Sequence, residues 1–213
     1  MKIALINGSP KVKESASATL LNDFSDLLPK DVKIYELKMF RPFLKEEEIK
    51  NLEMCPIWVF AFPLYVDGVP SHVLSCLYQL EQARIGHPGI KVYPIINCGF
   101  YEGCQTRHAM ETLEIWCQKA GLSWGMGVGF GGGGALRGLK KIPLGKGPKK
   151  SLGKALEVLV NAIGKAHPAE NIYTSISFPR FLYKGMAELH WKRRLKANGG
   201  KVKDLNKQIR TQG

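Results

Sequence analysis

A segment rich in hydroxyl side chains follows the first apolar run of the chain. Residues 8–19 read Gly-Ser-Pro-Lys-Val-Lys-Glu-Ser-Ala-Ser-Ala-Thr and lead into a run with helical spacing. Free N–H groups at a helix start attract anions, and Ser9, Ser17 and Thr19 can each donate a proton to a phosphate oxygen. The segment matches neither GxGxxG nor GxxxxGK[ST], which disfavours a Rossmann dinucleotide site and a P-loop. The same hydroxyls are equally compatible with helix capping, for which Ser17 or Thr19 is the predicted N-cap.

Three further loops carry residue types that suit a flat ligand. Tyr65 lies between two prolines, and an aromatic side chain held by rigid backbone can line a partly apolar ring. After the next strand, Asn97 offers an amide and Gly99 permits close approach to the backbone. Four consecutive glycines at 131–134 would either admit a planar ligand or form a flexible loop. An ordinary turn with an exposed tyrosine explains the Tyr65 loop equally well.

Alternating strands and helices are predicted to position these loops. The apolar runs predict five strands at Lys2–Asn7, Val32–Leu37, Pro56–Phe62, Ile90–Cys98 and Leu122–Phe130. Helical spacing predicts intervening helices at 17–28, Glu46–Leu52, Pro70–Gln82, Thr106–Ala120 and Leu152–Ala166. Right-handed crossovers then give an α/β protein with an open, doubly wound parallel sheet. Ligands of such sheets bind beyond the carboxyl ends of the strands, where the four loops lie.

The positive charge of the chain is concentrated in its last third. The 213 residues carry a formal net charge of +13. Residues 1–136 hold 13 Lys and Arg against 14 Asp and Glu, whereas residues 137–213 hold 18 against 4. This asymmetry indicates that the last third binds an anionic partner. The candidates are NADPH, nucleic acid and an anionic membrane surface.

Cysteine and histidine usage argues against a metal centre. The five cysteines are odd in number and form no CxxC pair, which argues against a disulfide framework, a zinc site and a Cys-rich iron–sulfur cluster. The histidines show no ligand spacing, so we predict no metal. No apolar run approaches the ~20 residues that span a bilayer, and the short apolar N-terminal run does not form a signal peptide. We expect a cytoplasmic protein.

Three of the loops, taken in order, resemble those of the flavodoxin-like NADPH-dependent FMN reductases and NAD(P)H:quinone oxidoreductases. Asn-Gly-Ser-Pro at 7–10 with Ser-Ala-Thr at 17–19 is similar to the family's phosphate loop. Pro-Leu-Tyr at 63–65 with Pro70 is similar to its flavin loop, and residues 97–103 occupy the place of its flavin-edge loop. The resemblance covers residues 1–165 and departs from the family at Ala18, where the family has Asn, and in the longer 11–16 segment.

The resemblance implies a five-stranded sheet in the order 2-1-3-4-5, helices on both faces, one FMN per subunit and a homodimer with flavin sites near the interface. It assigns cofactor contacts to three sets of residues. The phosphate would be held by Ser9, Lys11, Ser17, Ala18 and Thr19; the ring would be lined by Pro63, Leu64, Tyr65 and Val66; and its other edge would be bordered by Asn97, Gly99 and Glu102.

The reaction that the resemblance implies is a ping-pong hydride transfer from NAD(P)H, through FMN, to an acceptor. The cofactor carries such chemistry, so we predict no catalytic side chain. The acceptor stays open among quinones, free flavins, azo or nitro compounds, metal ions and proteins. The basic Arg137, Lys140 and Lys141 favour NADPH over NADH. One alternative is an electron carrier that does not oxidise NAD(P)H, although flavodoxins of that kind are usually acidic.

The C-terminal region is predicted to be an extension of a flavodoxin-like domain formed by residues 1–166. Residues 167–213 are basic, and Phe181, Leu182, Met186, Leu189 and Trp191 are expected to line one side of a helix that ends at Asn198-Gly199-Gly200. This helix would pack on the domain or a partner subunit. Alternatively, it would bind an anionic membrane surface weakly. We expect no nucleic-acid partner.

Overall fold

The computed structural model describes residues 1–85, 89–165 and 169–206. It divides into two units, Met1–Ser177 and a second unit that begins at Phe178. The predicted boundary at residues 166 and 167 lies outside the described residues. Among the described residues, no helix has the length and apolar character needed to cross a membrane.

The first unit is built on a parallel sheet that is larger than predicted. Its strands follow the order β2-β1-β3-β4-β6-β7, and the short β5 pairs with β4 ahead of β6. The strands are β1 (Lys2–Asn7), β2 (Lys33–Lys38), β3 (Ile57–Pro63), β4 (Lys91–Cys98), β5 (Ser123–Trp124), β6 (Val128–Gly131) and β7 (Ile172–Ser175). The predicted order 2-1-3-4-5 is confirmed in its first four positions.

Two features at the far edge account for the difference in strand number. The predicted fifth strand is broken into β5 and β6 at Gly125 and Gly127. A side chain at Gly125 would collide with the Tyr93 ring, and one at Gly127 with Met110. The sequence analysis missed β7, which pairs with β6 in parallel register from Val128 opposite Ile172 to Gly131 opposite Ser175.

Helices cover both faces of the sheet, as in a three-layer sandwich. They are α1 (Ala16–Ser25), α2 (Glu46–Glu53), α3 (Ser71–Gln82), α4 (Arg107–Lys119), the short α5 (Gly133–Leu136) and α6 (Lys150–Lys165). Side chains of α2, α3 and α4 share one core with Ala4, Ile6, Trp58 and Phe60 of the strands. Because strand side chains alternate between faces, Ile3, Leu5 and Val59 face the opposite layer, which contains α1 and α6.

The predicted helix boundaries need small corrections. The first helix begins at Ala16 because the Ser15 side chain accepts a hydrogen bond from the Ala18 N–H at 3.0 Å. Ser15, rather than Ser17 or Thr19, is therefore the N-cap. At the end of α4, Gly121 adopts a φ of 71°, the left-handed conformation that favours glycine after a helix.

The second unit contains one long helix, α7 (Arg180–Ala197), and a 3₁₀ turn over Val202–Asn206. The helix ends as predicted, at Asn198 followed by Gly199 with a φ of 78°. None of its side chains is buried. At about 100° per residue, Leu182, Met186 and Leu189 share one side, whereas Trp191 lies on the opposite side. The prediction that all five apolar residues line one side is therefore wrong.

Candidate functional site

Asn97 joins three of the predicted loops at the carboxyl edge of the sheet. It lies near the end of β4, is 3% exposed, and its amide donates to the Ser17 Oγ at 3.2 Å and to the Phe62 carbonyl at 3.1 Å. The backbone carbonyl of Asn97 accepts a hydrogen bond from the Leu64 N–H at 2.8 Å. The loops after β1, β3 and β4 therefore meet at one residue, through its side chain and its backbone.

The segment after β1 is tied to its surroundings through its backbone. The Ser9 N–H donates to the Asn7 side chain at 3.0 Å, and the Lys11 N–H donates to the Ser9 Oγ at 3.4 Å. Gly8 packs so closely that a Cβ would lie 2.8 Å from Val73. The imidazole of His72, which the sequence analysis missed, lies 3.1 Å from the Gly8 carbonyl.

The predicted phosphate-binding hydroxyls are buried beside the start of α1. Ser9, Ser17 and Thr19 are all nearly inaccessible. The Ser17 hydroxyl faces Asn97, and the Thr19 hydroxyl donates to the Ser15 carbonyl. The first N–H groups of a helix lack acceptors within the helix, and the Ser15 side chain takes that of Ala18. The N–H groups of Ala16 and Ser17 thus have no acceptor within the helix; Ala16 is half-buried and Ser17 is wholly buried.

Basic side chains surround this helix start. Lys11 and Lys13 are exposed on the segment itself. Lys140, from the segment after α5, forms an ion pair with Glu14 at 2.6 Å. The hydrogen bond and charge of Lys140, assisted by the charge of Arg137, lower the pKa of Glu14. Lys140, one of the three cations predicted to favour NADPH, therefore contacts the predicted phosphate segment.

The loop after β3 forms a tight hairpin turn. Tyr65 and Gly68 exchange two backbone hydrogen bonds of 3.0 and 3.1 Å. Val66 and Asp67 both adopt positive φ angles, 47° and 58°, as a type I′ turn requires. This conformation costs a β-branched residue about 1–2 kcal/mol. The turn leaves Tyr65 46% exposed and Val66 wholly exposed to solvent.

The loop after β4 has open space beside the Gly99 backbone and an unreactive thiol at Cys98. A Cβ at Gly99 would meet no atom within 4 Å, and Phe100 beside it is half exposed. The Cys98 thiol donates to the carbonyls of Phe100 and Glu102. Burial raises the pKa of Cys98 to about 11, so this thiol stays protonated and unreactive at neutral pH.

The glycine run at 131–134 serves close packing between protein segments. A Cβ at Gly131 would lie 2.0 Å from the Tyr101 carbonyl, and one at Gly133 would lie 2.5 Å from the Asn97 side-chain oxygen. Only at Gly134 does the run leave open space. The run therefore lets the backbone press on Asn97, a use that neither of the two predicted alternatives included.

A buried ion pair anchors the segment behind the site. Lys149 is 1% exposed and its ammonium lies 2.6 Å from the Asp23 carboxylate. Burial raises the pKa of Asp23, against the opposing effect of Lys149, and the second carboxylate oxygen of Asp23 has no hydrogen-bond partner in the described structure. The segment 137–150 is thus held to α1 at Lys149. Within the described ranges, no group of His, Cys, Asp or Glu is arranged to hold a metal ion.

This protein is similar to known proteins in its three-dimensional structure. Neither a protein-family model nor a curated protein sequence matches the chain. The Trp repressor binding protein from Bacillus subtilis superposes with a TM-score of 0.52, at 17% identity over 61% of this chain and 84% of that one. The NADPH-quinone reductase from P. pentosaceus gives 0.50, at 13% identity over 69% and 100%. This protein has a flavodoxin-like fold.

A third flavodoxin-like neighbour is a short-chain flavodoxin associated with a bacterial microcompartment. Its TM-score is 0.50, at 12% identity over 78% of this chain and 99% of that one. The flavodoxin-like fold predicted from the sequence is thereby confirmed. At these identities the likeness concerns the fold alone.

Proposed function

We propose that this protein is an FMN-dependent oxidoreductase that takes electrons from NAD(P)H and passes them to a quinone, a flavin or a similar acceptor. The observation that carries the proposal is the meeting of three loops at Asn97. In an open parallel sheet, a ligand binds at this edge. The phosphate segment, the Tyr65 turn and the Gly99 loop there present different chemistry, and each suits a different part of FMN.

The phosphate of FMN fits the start of α1. The N–H group of Ala16, at the half-buried start of α1, and the dipole of α1 suit a dianion. Lys11 adds positive charge, and the Ser9 hydroxyl lies beside it at the same edge. The Ser17 and Thr19 side chains face the interior, and the Ala18 N–H donates to the Ser15 side chain. We therefore propose that the Ala16 backbone meets the phosphate and that Ser17, Ala18 and Thr19 support the helix start.

The isoalloxazine ring fits between the two other loops. Pro63 and Leu64 lead into the turn that presents Tyr65 and Val66, and these four residues would line one side of the ring. Gly99, with open space over its Cα, and the neighbouring Asn97 and Glu102 would border the other edge. An aromatic side chain and bare backbone suit a flat, partly apolar ring.

Bound FMN would supply the hydride chemistry between donor and acceptor. The residues of the chain bind and orient the ligands. We assign no proton transfer to a side chain, because the two-electron step needs none from the protein. The half-exposed Phe100 and Tyr65 leave room for a nicotinamide or an acceptor to stack in turn, which favours ping-pong kinetics.

A homodimer is part of the proposal. Helix α3 begins directly after the Tyr65 turn and exposes Leu74 and Tyr78, one helical turn apart. Phe43 is exposed on the neighbouring segment, which the Gln79 side chain ties to α3 through Leu44. An apolar patch of this kind marks an interaction surface. Leu74→Glu/Tyr78→Glu should sediment as a monomer if this patch joins two copies.

We propose that the protein is located in the cytoplasm, where reducing conditions keep cysteine thiols free of disulfides. All five cysteines are free, as expected for a cytoplasmic enzyme.

Steady-state kinetics test the proposal. The initial rate of FMN-loaded protein is measured against NADPH concentration at several fixed concentrations of benzoquinone. The double-reciprocal plots should be parallel lines, the pattern of a ping-pong mechanism. Intersecting lines would contradict the ping-pong mechanism. If the protein oxidises neither NADPH nor NADH with any acceptor class, the proposed enzymatic activity is contradicted. The alternative function, an electron carrier, would then remain.

A further inference from the structure

Helix α7 of the second unit carries cations and apolar side chains all round, and on one side they form a continuous stripe. Leu182, Met186 and Leu189 lie at i, i+4 and i+7 on α7, so they form one stripe. Each is at least 43% exposed. The stripe continues at the same spacing through Arg193 and Lys196.

This side of α7 carries positive charge and no negative charge. Lys192 joins Arg193 and Lys196 within an arc of about 120° that also holds the three apolar residues. We call the six residues the Leu182 face; they are Leu182, Met186, Leu189, Lys192, Arg193 and Lys196. Glu188, the only acidic residue of α7, lies outside this arc. The whole stretch 178–213 carries ten Lys and Arg against two acidic residues.

We propose that the Leu182 face docks on an anionic lipid surface. Leu and Met side chains would enter the interface between headgroups and acyl chains, while the following cations bind lipid phosphates and carboxylates. The proposal concerns the second unit alone and does not depend on the flavin site.

Two other occupants fit the Leu182 face less well. A second copy of α7 packed in parallel along the stripe would bring Arg193 and Lys196 against their own counterparts, and facing like charges destabilise helix pairs. An antiparallel copy would instead cover the cations with the apolar end of the stripe, which leaves them without counter-charges. Nucleic acid would satisfy the cations. However, its phosphate backbone offers nothing to three exposed aliphatic side chains in a row.

Vesicle co-sedimentation of the full-length protein tests the proposal. The wild type should sediment with mixed phosphatidylcholine–phosphatidylserine vesicles, weakly or not at all with pure phosphatidylcholine, and less at high salt. Lys192→Gln/Arg193→Gln/Lys196→Gln should weaken binding by roughly tenfold or more, since each cation near an anionic membrane contributes separately.

A matched control removes the same charge from the other side of the same helix. Arg180→Gln/Lys184→Gln/Arg194→Gln should lose much less affinity, and circular dichroism should show equal helix content in both triple variants. Leu182→Ser/Met186→Ser, which keeps every charge, should also weaken binding.

Four results would overturn the proposal. They are failure of the wild type to sediment with anionic vesicles, equal losses in the two triple variants, no effect of the serine substitutions, and binding of RNA or DNA or self-association through the Leu182 face in place of vesicle binding.

Discussion

The side-chain amide of Asn97 lies 3.2 Å from the Ser17 hydroxyl, although 80 residues separate the two in the sequence. The same amide nitrogen also bonds the end of β3. Because Asn97 is buried, this pair of hydrogen bonds fixes how the β1 and β3 loops face each other, and with them the two halves of the proposed FMN site.

Asn97→Ala should weaken both stability and FMN binding. Removing the amide deletes its hydrogen bonds to the Ser17 hydroxyl and the Phe62 carbonyl at a buried position, a loss of about 1–3 kcal/mol in the free energy of unfolding. Urea denaturation and quenching of flavin fluorescence measure the two effects. Asn161→Ala, on the exposed surface of α6, is the control and should change neither. An Asn97→Ala protein with normal FMN affinity would show that Asn97 does not organise the site.

Two adjacent glycines offer a matched pair of substitutions. A Cβ at Gly133 would lie 2.5 Å from the Asn97 side-chain oxygen, whereas one at Gly134 would meet nothing within 4 Å. Gly133→Ala should therefore displace Asn97, lower the free energy of unfolding by about 1–3 kcal/mol and reduce FMN affinity. Gly134→Ala should be neutral or slightly stabilising in α5. Equal effects of the two substitutions would contradict the close packing against Asn97.

Breaking the buried ion pair should make stability depend on pH. Lys149→Met leaves the Asp23 carboxylate without its partner and should cost about 3–5 kcal/mol at neutral pH. Burial already raises the pKa of Asp23, and loss of the Lys149 hydrogen bond and charge raises it further. A carboxyl group with a raised folded-state pKa favours the folded state when protonated.

The difference in stability between wild type and Lys149→Met should therefore shrink as the pH falls from neutrality toward about 4, the ordinary carboxyl pKa. Denaturant titrations at several pH values measure it. Lys154→Met on the exposed side of α6 should be silent, and Asp23→Asn in the Lys149→Met background should abolish the pH dependence. A difference that stays constant with pH would mean that Asp23 does not titrate in this way.

The cations beside the phosphate segment should set the preference for NADPH. Arg137→Gln/Lys140→Gln should lower kcat/KM for NADPH about tenfold, since hydrogen bonds to a charged group contribute about 1.5–3 kcal/mol, and should leave NADH nearly unchanged. Glu14→Gln frees Lys140 from its ion pair and should raise kcat/KM for NADPH. An equal decrease in kcat/KM for NADPH and NADH would show that these residues do not select between the two nucleotides.

The local patterns of the sequence predicted most of the fold. The apolar runs that became β1, β3 and β4 are long and buried on both faces, so periodicity identifies them and the loops that follow. Ile172–Ser175 was missed because β7 has only four half-buried residues and depends on pairing with β6.

The contacts that shape the site depend on distant residues. Lys149 and Asp23 are 126 residues apart, and no local pattern signals their pairing. The Ser15 cap left a weak local signal, a serine three residues ahead of Ala18. Asn97 was found as a polar residue at a strand end, but its three-way bonding follows from the register of β3 and β4.

The visible absorption spectrum of the purified protein, before and after anaerobic NADPH, tests the central claim most directly. After incubation with FMN and removal of the excess, the protein should show bands near ~450 nm that bleach on NADPH, because bound flavin absorbs there only when oxidised. A colourless protein that takes up no FMN would contradict the proposed function, and bands that persist with both NADPH and NADH would contradict the enzyme.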